Sequence, residues 1–152
     1  MGKYFTIEEL CDSTTARLYN IDNTPNEEIT KNLLELIDIL DKIRENWTIY
    51  SNEKGFGKGS IIVNSGYRCD KLNTAVNGAK NSAHKYGYAV DIEPSNQHNK
   101  EFYIWLRNYM FKNEILFDEL INEKPKNDIP SWIHFSIKNY KGNQRQRVFT
   151  IY

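Results

Sequence analysis

The pattern of apolar and polar residues in the first third of the chain predicts one long amphipathic helix. Apolar residues recur there at helical spacing: Ile29, Leu33, Leu36, Ile37, Leu40 and Ile43. Thr24 and Pro25 precede this stretch and are typical of a helix start, with proline at the first helical position. We therefore predict a helix that runs to about Asn46 and packs one face on a core.

A capping box predicts a second, short helix nearer the amino end. Thr6 has the side chain of an N-cap residue, and Glu9 follows three residues later. The helix would cover residues 7–11 and end in a polar turn over residues 12–15.

Short apolar or alternating runs dominate the second half of the chain and predict strands. The predicted strands are residues 61–64 (buried), 88–93, 116–121, 132–138 and 145–152 (an edge strand). Two further helices are predicted, over residues 69–76 and from Ser95 or Asn96 to about Lys112. Because helices lead and strands follow, we predict an α+β fold: a single compact domain over residues 1–152, with a mainly antiparallel sheet flanked by helices.

Two side chains with metal-binding chemistry stand around the start of the strand predicted over residues 88–93. Alternation puts Asp91 on the face away from the apolar residues, where a rigid strand would hold it. Gly87 would let the chain fold His84 back towards Asp91. One imidazole and one carboxylate are half of a zinc site, since a catalytic zinc takes three protein ligands and leaves one position for water.

The segment Trp132-Ile133-His134-Phe135-Ser136 offers the third ligand. Its apolar residues would face the core, and His134 would then face the same cleft as Asp91. The alternative is that His84 and His134 are hydrogen-bonded structural histidines. Spacing alone leaves both interpretations open. A metal site here would lie in a cleft on the sheet.

Composition and charge narrow the class of partner. The chain has 152 residues, a formal net charge of zero and only two cysteines. Nothing therefore favours nucleic acid or an anionic membrane as a partner, and no disulfide framework is expected. We see neither a signal peptide nor a membrane span, and we expect a monomer that is made in the cytoplasm without a signal peptide.

Three motifs together resemble a known family. They are Ser65-Gly66-Tyr67-Arg68, then Ser82-x-His84-x-x-Gly87-x-Ala89-x-Asp91, then Trp132-x-His134-x-Ser136. Their order and spacing resemble the M15 zinc peptidases, which are D-alanyl-D-alanine carboxypeptidases and related peptidoglycan endopeptidases, including phage endolysins. The resemblance runs from about Ile61 to Ile137 and is closest to the branch with a short single domain.

The resemblance implies one zinc ion per chain, held by His84, Asp91 and His134. It also implies that Arg68 binds the substrate or polarises its carbonyl, a role that suits a guanidinium beside a developing oxyanion. We assign Ser82 to the substrate-binding side of the site. Ser82 and Ser136 are expected to donate or accept hydrogen bonds that orient other groups, rather than to act as nucleophiles.

One position departs from the family pattern. Many members of the wider family place an acidic residue three positions before the last histidine, as the general base, but this chain has Ser131 there. A serine does not accept a proton at neutral pH. The candidate substitutes are four acidic residues further up the chain: Asp118, Glu119, Glu123 and Asp128. We choose Glu123, because a carboxylate at the edge of a loop could reach the cleft.

The sequence therefore predicts a zinc metallopeptidase that hydrolyses an amide bond in the peptide moiety of bacterial peptidoglycan, next to a D-amino acid. We expect it to act on the bacterial cell wall, as a lysis enzyme of phage origin. The alternative is a catalytically inactive zinc-containing module that binds peptidoglycan or peptide, and Ser131 favours it. Carboxypeptidase and endopeptidase action are both open, since the loops over residues 51–59 and 122–131 would shape the ends of the cleft.

Overall fold

One mixed sheet runs through the part of the chain that the computed structural model describes, which is residues 2–152. Its strands are β1 (Ile61–Ser65), β2 (Ala89–Pro94), β3 (Glu119–Glu123), β4 (Trp132–Ser136) and β5 (Arg147–Ile151). Their order across the sheet is β1-β2-β4-β3-β5. Neighbouring strands are antiparallel, except that β5 runs parallel to β3. The prediction of an α+β fold with a mainly antiparallel sheet is confirmed.

Helices flank this sheet and lie mostly in the first two thirds of the chain. They are α1 (Ile7–Cys11), α2 (Thr14–Leu18), α3 (Glu27–Lys54), α4 (Asp70–Ala75), a 3-10 helix (Ala83–Tyr86) and α5 (Asn99–Lys112). Side-chain oxygens cap several of them: Thr6 accepts from the Glu9 N–H at the start of α1, as the capping box predicts. None of the helices in residues 2–152 combines the length and the apolar character that crossing a bilayer requires.

The prediction of a polar turn over residues 12–15 was wrong, because α2 begins within it. The Ser13 side chain accepts a hydrogen bond from the Ala16 N–H and so caps a new helix that begins at Thr14, with Asp12 and Ser13 between it and the end of α1. Both helices are short, and no apolar period distinguishes them in the sequence.

The long helix α3 differs from its prediction at both ends. It begins at Glu27 behind the cap of Asn26, so Pro25 lies outside it. It continues to Lys54 instead of ending near Asn46, since Trp47 and Ser51 extend its buried stripe by two more turns. Gly55, in the left-handed conformation at φ 73°, ends it.

Some strand and helix boundaries also move. β3 begins at Glu119, three residues after the predicted start, and ends at Glu123, two residues after the predicted end. β1 is an edge strand with alternating burial and not a buried strand. α5 begins at Asn99 with no side-chain cap, so neither Ser95 nor Asn96 is its N-cap. β5 lies at the edge, as predicted.

The core lies between one face of the sheet and the two longest helices. The sheet contributes fully buried residues from its three inner strands: Val90, Ile92, Leu120, Ile133 and Phe135. The helices contribute Leu33, Leu36, Leu40, Ile43, Trp47, Phe102 and Leu106, among others. Because strand side chains alternate, the opposite face of the same strands carries the polar residues. That face is the location of the candidate site.

Candidate metal centre

Asp91 and His134 are cross-strand neighbours. The register of β2 against β4 places them directly opposite each other in adjacent antiparallel strands, so their side chains leave the sheet on the same face. The His134 Nδ1 atom lies 3.1 Å from the Asp91 Oδ1 atom. Two of the three predicted ligands are therefore held by backbone pairing.

His84 reaches the same place from the 3-10 helix that precedes β2. Ser82 caps this helix by accepting from the His84 N–H, and Gly87 ends it in the left-handed conformation at φ 76°. The turn folds His84 back, as the position of Gly87 predicted. Its Nε2 atom lies 3.4 Å from the Asp91 Oδ1 atom, and its ring meets that of His134 edge-on with centroids 5.2 Å apart.

The second ring nitrogen of His84 is already bound to the protein. Its Nδ1 atom lies 2.7 Å from the carbonyl oxygen of Gly66. A carbonyl only accepts, so this nitrogen carries the proton and donates it. The tautomer is thereby fixed, and the lone pair of Nε2 is left for a metal ion.

The three side chains fit a zinc ion by their chemistry and spacing. Each of His84, Asp91 and His134 offers one ligand atom, and these atoms all lie within 4.8 Å of one another. Two imidazole nitrogens and one carboxylate oxygen are typical zinc ligands, and three of them leave a position open. The side chains are 3%, 18% and 12% exposed, in that order, so the site is sheltered yet reachable.

The protonation states suit a cation. Burial disfavours the charge of Asp91, but His84 and His134 together outweigh that effect and hold the pKa of Asp91 below its usual range. Burial lowers the pKa of His84, although Asp91 opposes the change. At neutral pH the site therefore presents an ionised carboxylate and a neutral imidazole at His84, which are the forms that bind metal.

Arg68 lies beside these three residues. Its N–H donates to the carbonyl oxygen of His84 over 3.1 Å, and its Nη2 donates to the hydroxyl of Ser82 over 3.2 Å. Burial lowers the pKa of Arg68, while Asp91 works in the opposite direction. Ser82 therefore contacts both Arg68 and the backbone of His84. A cavity of about 250 Å³ opens next to Arg68 and is also lined by Asn64 and Ser65, among others.

Three of the four candidate general bases are engaged elsewhere. Asp118 is buried and receives two bonds from the guanidinium of Arg145, each 2.8 Å long. Glu119 lies within 3.5 Å of Arg145 and 3.4 Å of Arg147. Asp128 is exposed and pairs with Lys100 of α5, which contacts the opposite face of the sheet.

Glu123 is the acidic residue that stays close to the site. The register pairs Glu123 with Trp132 and Ile121 with His134, so Glu123 leaves the sheet on the face of His134, one diagonal position away. Burial raises the pKa of its carboxyl group, and the charges of His134 and Asp91 both reach it, with opposite effects. The carbonyl of Glu123 accepts from the Ser131 N–H over 3.0 Å. Glu123 thus lies beside the position that is acidic in the wider family.

Ser136 lies on the sheet face of His134, as predicted, but its hydroxyl bonds to a neighbouring strand. We predicted that it would orient other groups in the cleft, whereas its fully buried hydroxyl accepts from the Glu119 N–H over 3.1 Å. It fixes β3 against β4 instead. Asn23 was not among the predicted site residues, although its amide contacts both neighbours of Arg68. Its position before the long helix carries no signal of that contact.

Comparison with known proteins agrees with this geometry. Residues 3–120 match the family described as Peptidase M15, which is more than half of the chain. The match contains His84 and Asp91 and ends before β4, so His134 joins them on the evidence of the structure. The chain is also 37% identical over 51 residues to the zinc D-Ala-D-Ala carboxypeptidase of Streptomyces albus G. Those residues are 34% of this chain and 20% of that relative, so the alignment spans about a fifth of the relative's length.

Proposed function

This chain belongs to the Peptidase M15 family, and on that premise we propose that it is a zinc peptidase that hydrolyses an amide bond in the peptide part of bacterial peptidoglycan, next to a D-amino acid. The observation that carries the proposal is the convergence of His84, Asp91 and His134 on one face of the sheet, with Arg68 beside them. The name of the Streptomyces albus G relative supports the substrate class.

His84, Asp91 and His134 would hold one zinc ion, and each is prepared for it by its surroundings. Zinc in such a site supplies a Lewis acid that polarises a carbonyl and lowers the pKa of water. The Gly66 carbonyl keeps the proton of His84 on Nδ1, and pairing between β2 and β4 holds the other two side chains together. Little reorganisation is then needed when the ion binds.

Arg68 would orient the substrate and stabilise negative charge on the carbonyl oxygen under attack. A guanidinium is planar, stays protonated and donates in a fixed geometry. Ser82 accepts from one of its nitrogens, which leaves other N–H groups for the substrate. Ser82 is thus a neighbour that aims Arg68, and we propose its contribution to substrate binding on that basis.

Glu123 would act as the general base. Its half-buried carboxylate lies on the face of His134, and its raised pKa moves it towards neutrality, which suits a group that must take up a proton. It would accept a proton from the attacking water and pass it to the nitrogen of the leaving amine. Glu119 lies on the same face but is paired with two arginines.

The bond that is cut and the biological setting are finer proposals. The relative's name favours release of a terminal D-amino acid, and the resemblance to the phage endolysin branch favours an endopeptidase with a lytic role on the bacterial wall. Mass analysis of the products separates these two reactions, because a carboxypeptidase releases single amino acids and an endopeptidase releases cross-linked fragments as smaller peptides.

The first experiment measures metal content and hydrolysis together. We expect about one zinc ion per chain and release of peptides or D-alanine from purified peptidoglycan, both abolished by a chelator and restored by zinc. Zinc without hydrolysis would favour the alternative of an inactive binding module. Two results together would contradict the proposal: a wild-type protein that retains no zinc, and a zinc content that is the same in the wild type, His84→Ala and His134→Ala.

A matched pair of substitutions tests the general base. Glu123→Gln should lower kcat by about 10²- to 10⁴-fold, the usual contribution of general acid–base catalysis, while zinc content stays at the wild-type level. Glu119→Gln alters a carboxylate on the same strand face that is held by Arg145 and Arg147, and it should change kcat far less. Equal losses in the two variants would remove Glu123 from the mechanism.

A further inference from the structure

Arg68 lies in an irregular segment that depends on distant residues for its shape. Residues 66–69 connect β1 to α4 and belong to neither. The Tyr67 N–H donates to the Leu10 carbonyl over 2.8 Å, and the Arg68 N–H donates to the His84 carbonyl over 3.1 Å. Neither bond involves the Tyr67 carbonyl or the Cys69 N–H, which lie on either side of Arg68 in the chain.

The side chain of Asn23 binds both of these backbone groups. Its Nδ2 atom donates to the Tyr67 carbonyl over 2.9 Å, and its Oδ1 atom accepts from the Cys69 N–H over 2.8 Å. The same Nδ2 atom also donates to the Cys11 carbonyl at the end of α1 over 2.9 Å. One amide therefore binds the residues before and after Arg68 and connects this segment to the end of α1.

These contacts of Asn23 matter for Arg68 because few other contacts in residues 2–152 hold its guanidinium group. The guanidinium donates to the Ser82 hydroxyl over 3.2 Å, and its Nε atom is buried without a hydrogen-bond partner. No ion pair holds the guanidinium among the described residues. The aim of a long side chain with one tether depends on where the backbone places its Cα atom.

We propose that Asn23 is a positioning residue for the reaction, acting through Arg68 and not through the metal ligands. The inference rests on the proposed role of Arg68 in substrate binding. Asn23 touches neither His84, Asp91 nor His134, and its three bonds all end on backbone atoms of residues 11, 67 and 69. An amide suits these contacts, because its two N–H donors match the two carbonyls and its oxygen accepts from the N–H.

A double-mutant cycle tests this role. Asn23→Ala should lower kcat/KM about tenfold, as is typical when a residue that orients an active group is removed. In the Arg68→Ala background the same change should cost nothing further, because the group that Asn23 positions is already gone. Zinc content should be that of the wild type in all four proteins. Independent, additive losses would overturn the proposal.

Asn139→Ala is the matched control. The Asn139 side chain is another amide clasp, which accepts from the Lys141 and Asn143 N–H groups in the loop after β4. Its loss should lower the melting temperature as the loss of Asn23 does, but should leave kcat/KM of the folded protein unchanged. An equal fall of kcat/KM in Asn139→Ala would show that the effect of Asn23 is general destabilisation.

A second variant and a readout without catalysis complete the test. Asn23→Ser keeps a shorter side chain with one donor and an acceptor, so its kcat/KM should fall between those of the wild type and Asn23→Ala. It replaces Asn23→Ala if that variant does not fold. The NMR signal of the Arg68 Nε–H group should shift and exchange faster with water in the Asn23 variants and stay unchanged in Asn139→Ala. If the Arg68 signal changes only in the Asn23 variants while the wild type hydrolyses nothing, the proposed function fails, but Asn23 still positions Arg68. An Arg68 signal that is the same in all variants would overturn the positioning role.

Discussion

His84 divides its two ring nitrogens between the protein and the site. Nδ1 is committed to the Gly66 carbonyl, and Nε2 faces Asp91. A buried imidazole with only one nitrogen satisfied by the protein would normally be costly. With the proton on Nδ1, the lone pair of Nε2 faces the ionised carboxylate of Asp91, which can also only accept, so neither group satisfies the other. A metal ion between them would satisfy both groups.

The buried state of His84 predicts a pH dependence in the metal-free protein. Burial lowers the pKa of His84 in the folded state, whereas the unfolded chain takes up a proton there at about pH 6.5. Below that pH the unfolded state binds more protons, so the free energy of unfolding falls as the pH decreases, by at most about 1.4 kcal/mol per pH unit for this residue. Urea unfolding in a chelator, between about pH 7.5 and pH 5.5, measures the slope.

Two histidine substitutions isolate the contribution of His84 to that slope. His84→Gln removes the titrating ring and should flatten the dependence, while His98→Gln, which alters a partly exposed histidine stacked on Phe56, should keep it. A slope in His84→Gln equal to that of the wild type would assign the pH dependence to other groups.

Some residues of the candidate site could be predicted from the sequence, and others could not. Asp91 and His134 follow from strand alternation, and the three motifs put His84 with them. Among four acidic candidates, the choice of Glu123 depends on ion pairs of the others, which no local pattern encodes. Asn23 could not be found, because its partners at Tyr67 and Cys69 are 44 and 46 residues away in the chain.

At the scale of elements, the close approach of α1 to the segment after β1 shapes the site. A Cβ atom on Gly66 would overlap the carbonyl of Leu10, the last buried residue of α1. Only glycine allows the backbone to pass there. Because the Gly66 carbonyl also binds His84, the packing of α1 is transmitted to a ligand of the candidate metal centre.

Gly66→Ala should therefore damage both stability and metal binding. We expect a loss of about 1–3 kcal/mol in the free energy of unfolding, typical of overpacking against an unyielding group, together with roughly tenfold weaker zinc binding through displacement of the His84 partner. Chemical denaturation and a competitive zinc indicator measure the two effects. Gly142→Ala, at φ 81° in open space, is the control: it should cost stability alone, and weaker zinc binding in this variant would argue against a specific path through His84.

Elements were predicted well where one physical signal was dominant. The apolar stripe located α3, and the Thr6 cap located α1. The end of α3 was missed because Trp47 packs on α5 and on the loop after α3, and Ser51 is contacted by Asn96 from the loop before α5. The start of β3 was displaced by Phe117 and Asp118, which are buried before the strand begins. Burial by tertiary contacts overrides a local pattern in both cases.

At the scale of the whole molecule, the candidate ligands join parts of the chain that are far apart. His84 and Asp91 come from the 3-10 helix and β2, and His134 comes from β4, beyond α5 and β3. An ion that binds all three therefore binds the folded state far better than the unfolded one, and it should stabilise the fold.

Zinc removal should accordingly lower the melting temperature. At free zinc about 100 times its Kd, the stabilisation is about 2.7 kcal/mol, which for a protein of this size corresponds to roughly 5–10 °C. Calorimetry with and without chelator measures it. The difference should vanish in His134→Ala and persist in His98→Ala, and a chelator effect that survives in His134→Ala would place the ion elsewhere.

The order of strands across the sheet also determines when the site can exist during synthesis. β4 pairs with β2 on one side and β3 on the other, so it is the strand that joins the β1–β2 pair to the rest of the sheet. A ribosome that has released β1, β2 and β3 has produced two separate pieces with unpaired edges and only two of the three ligands. Until β4 emerges, the nascent chain therefore lacks both His134 and the strand pairing that holds His134 opposite Asp91, so the three candidate ligands cannot come together earlier in synthesis.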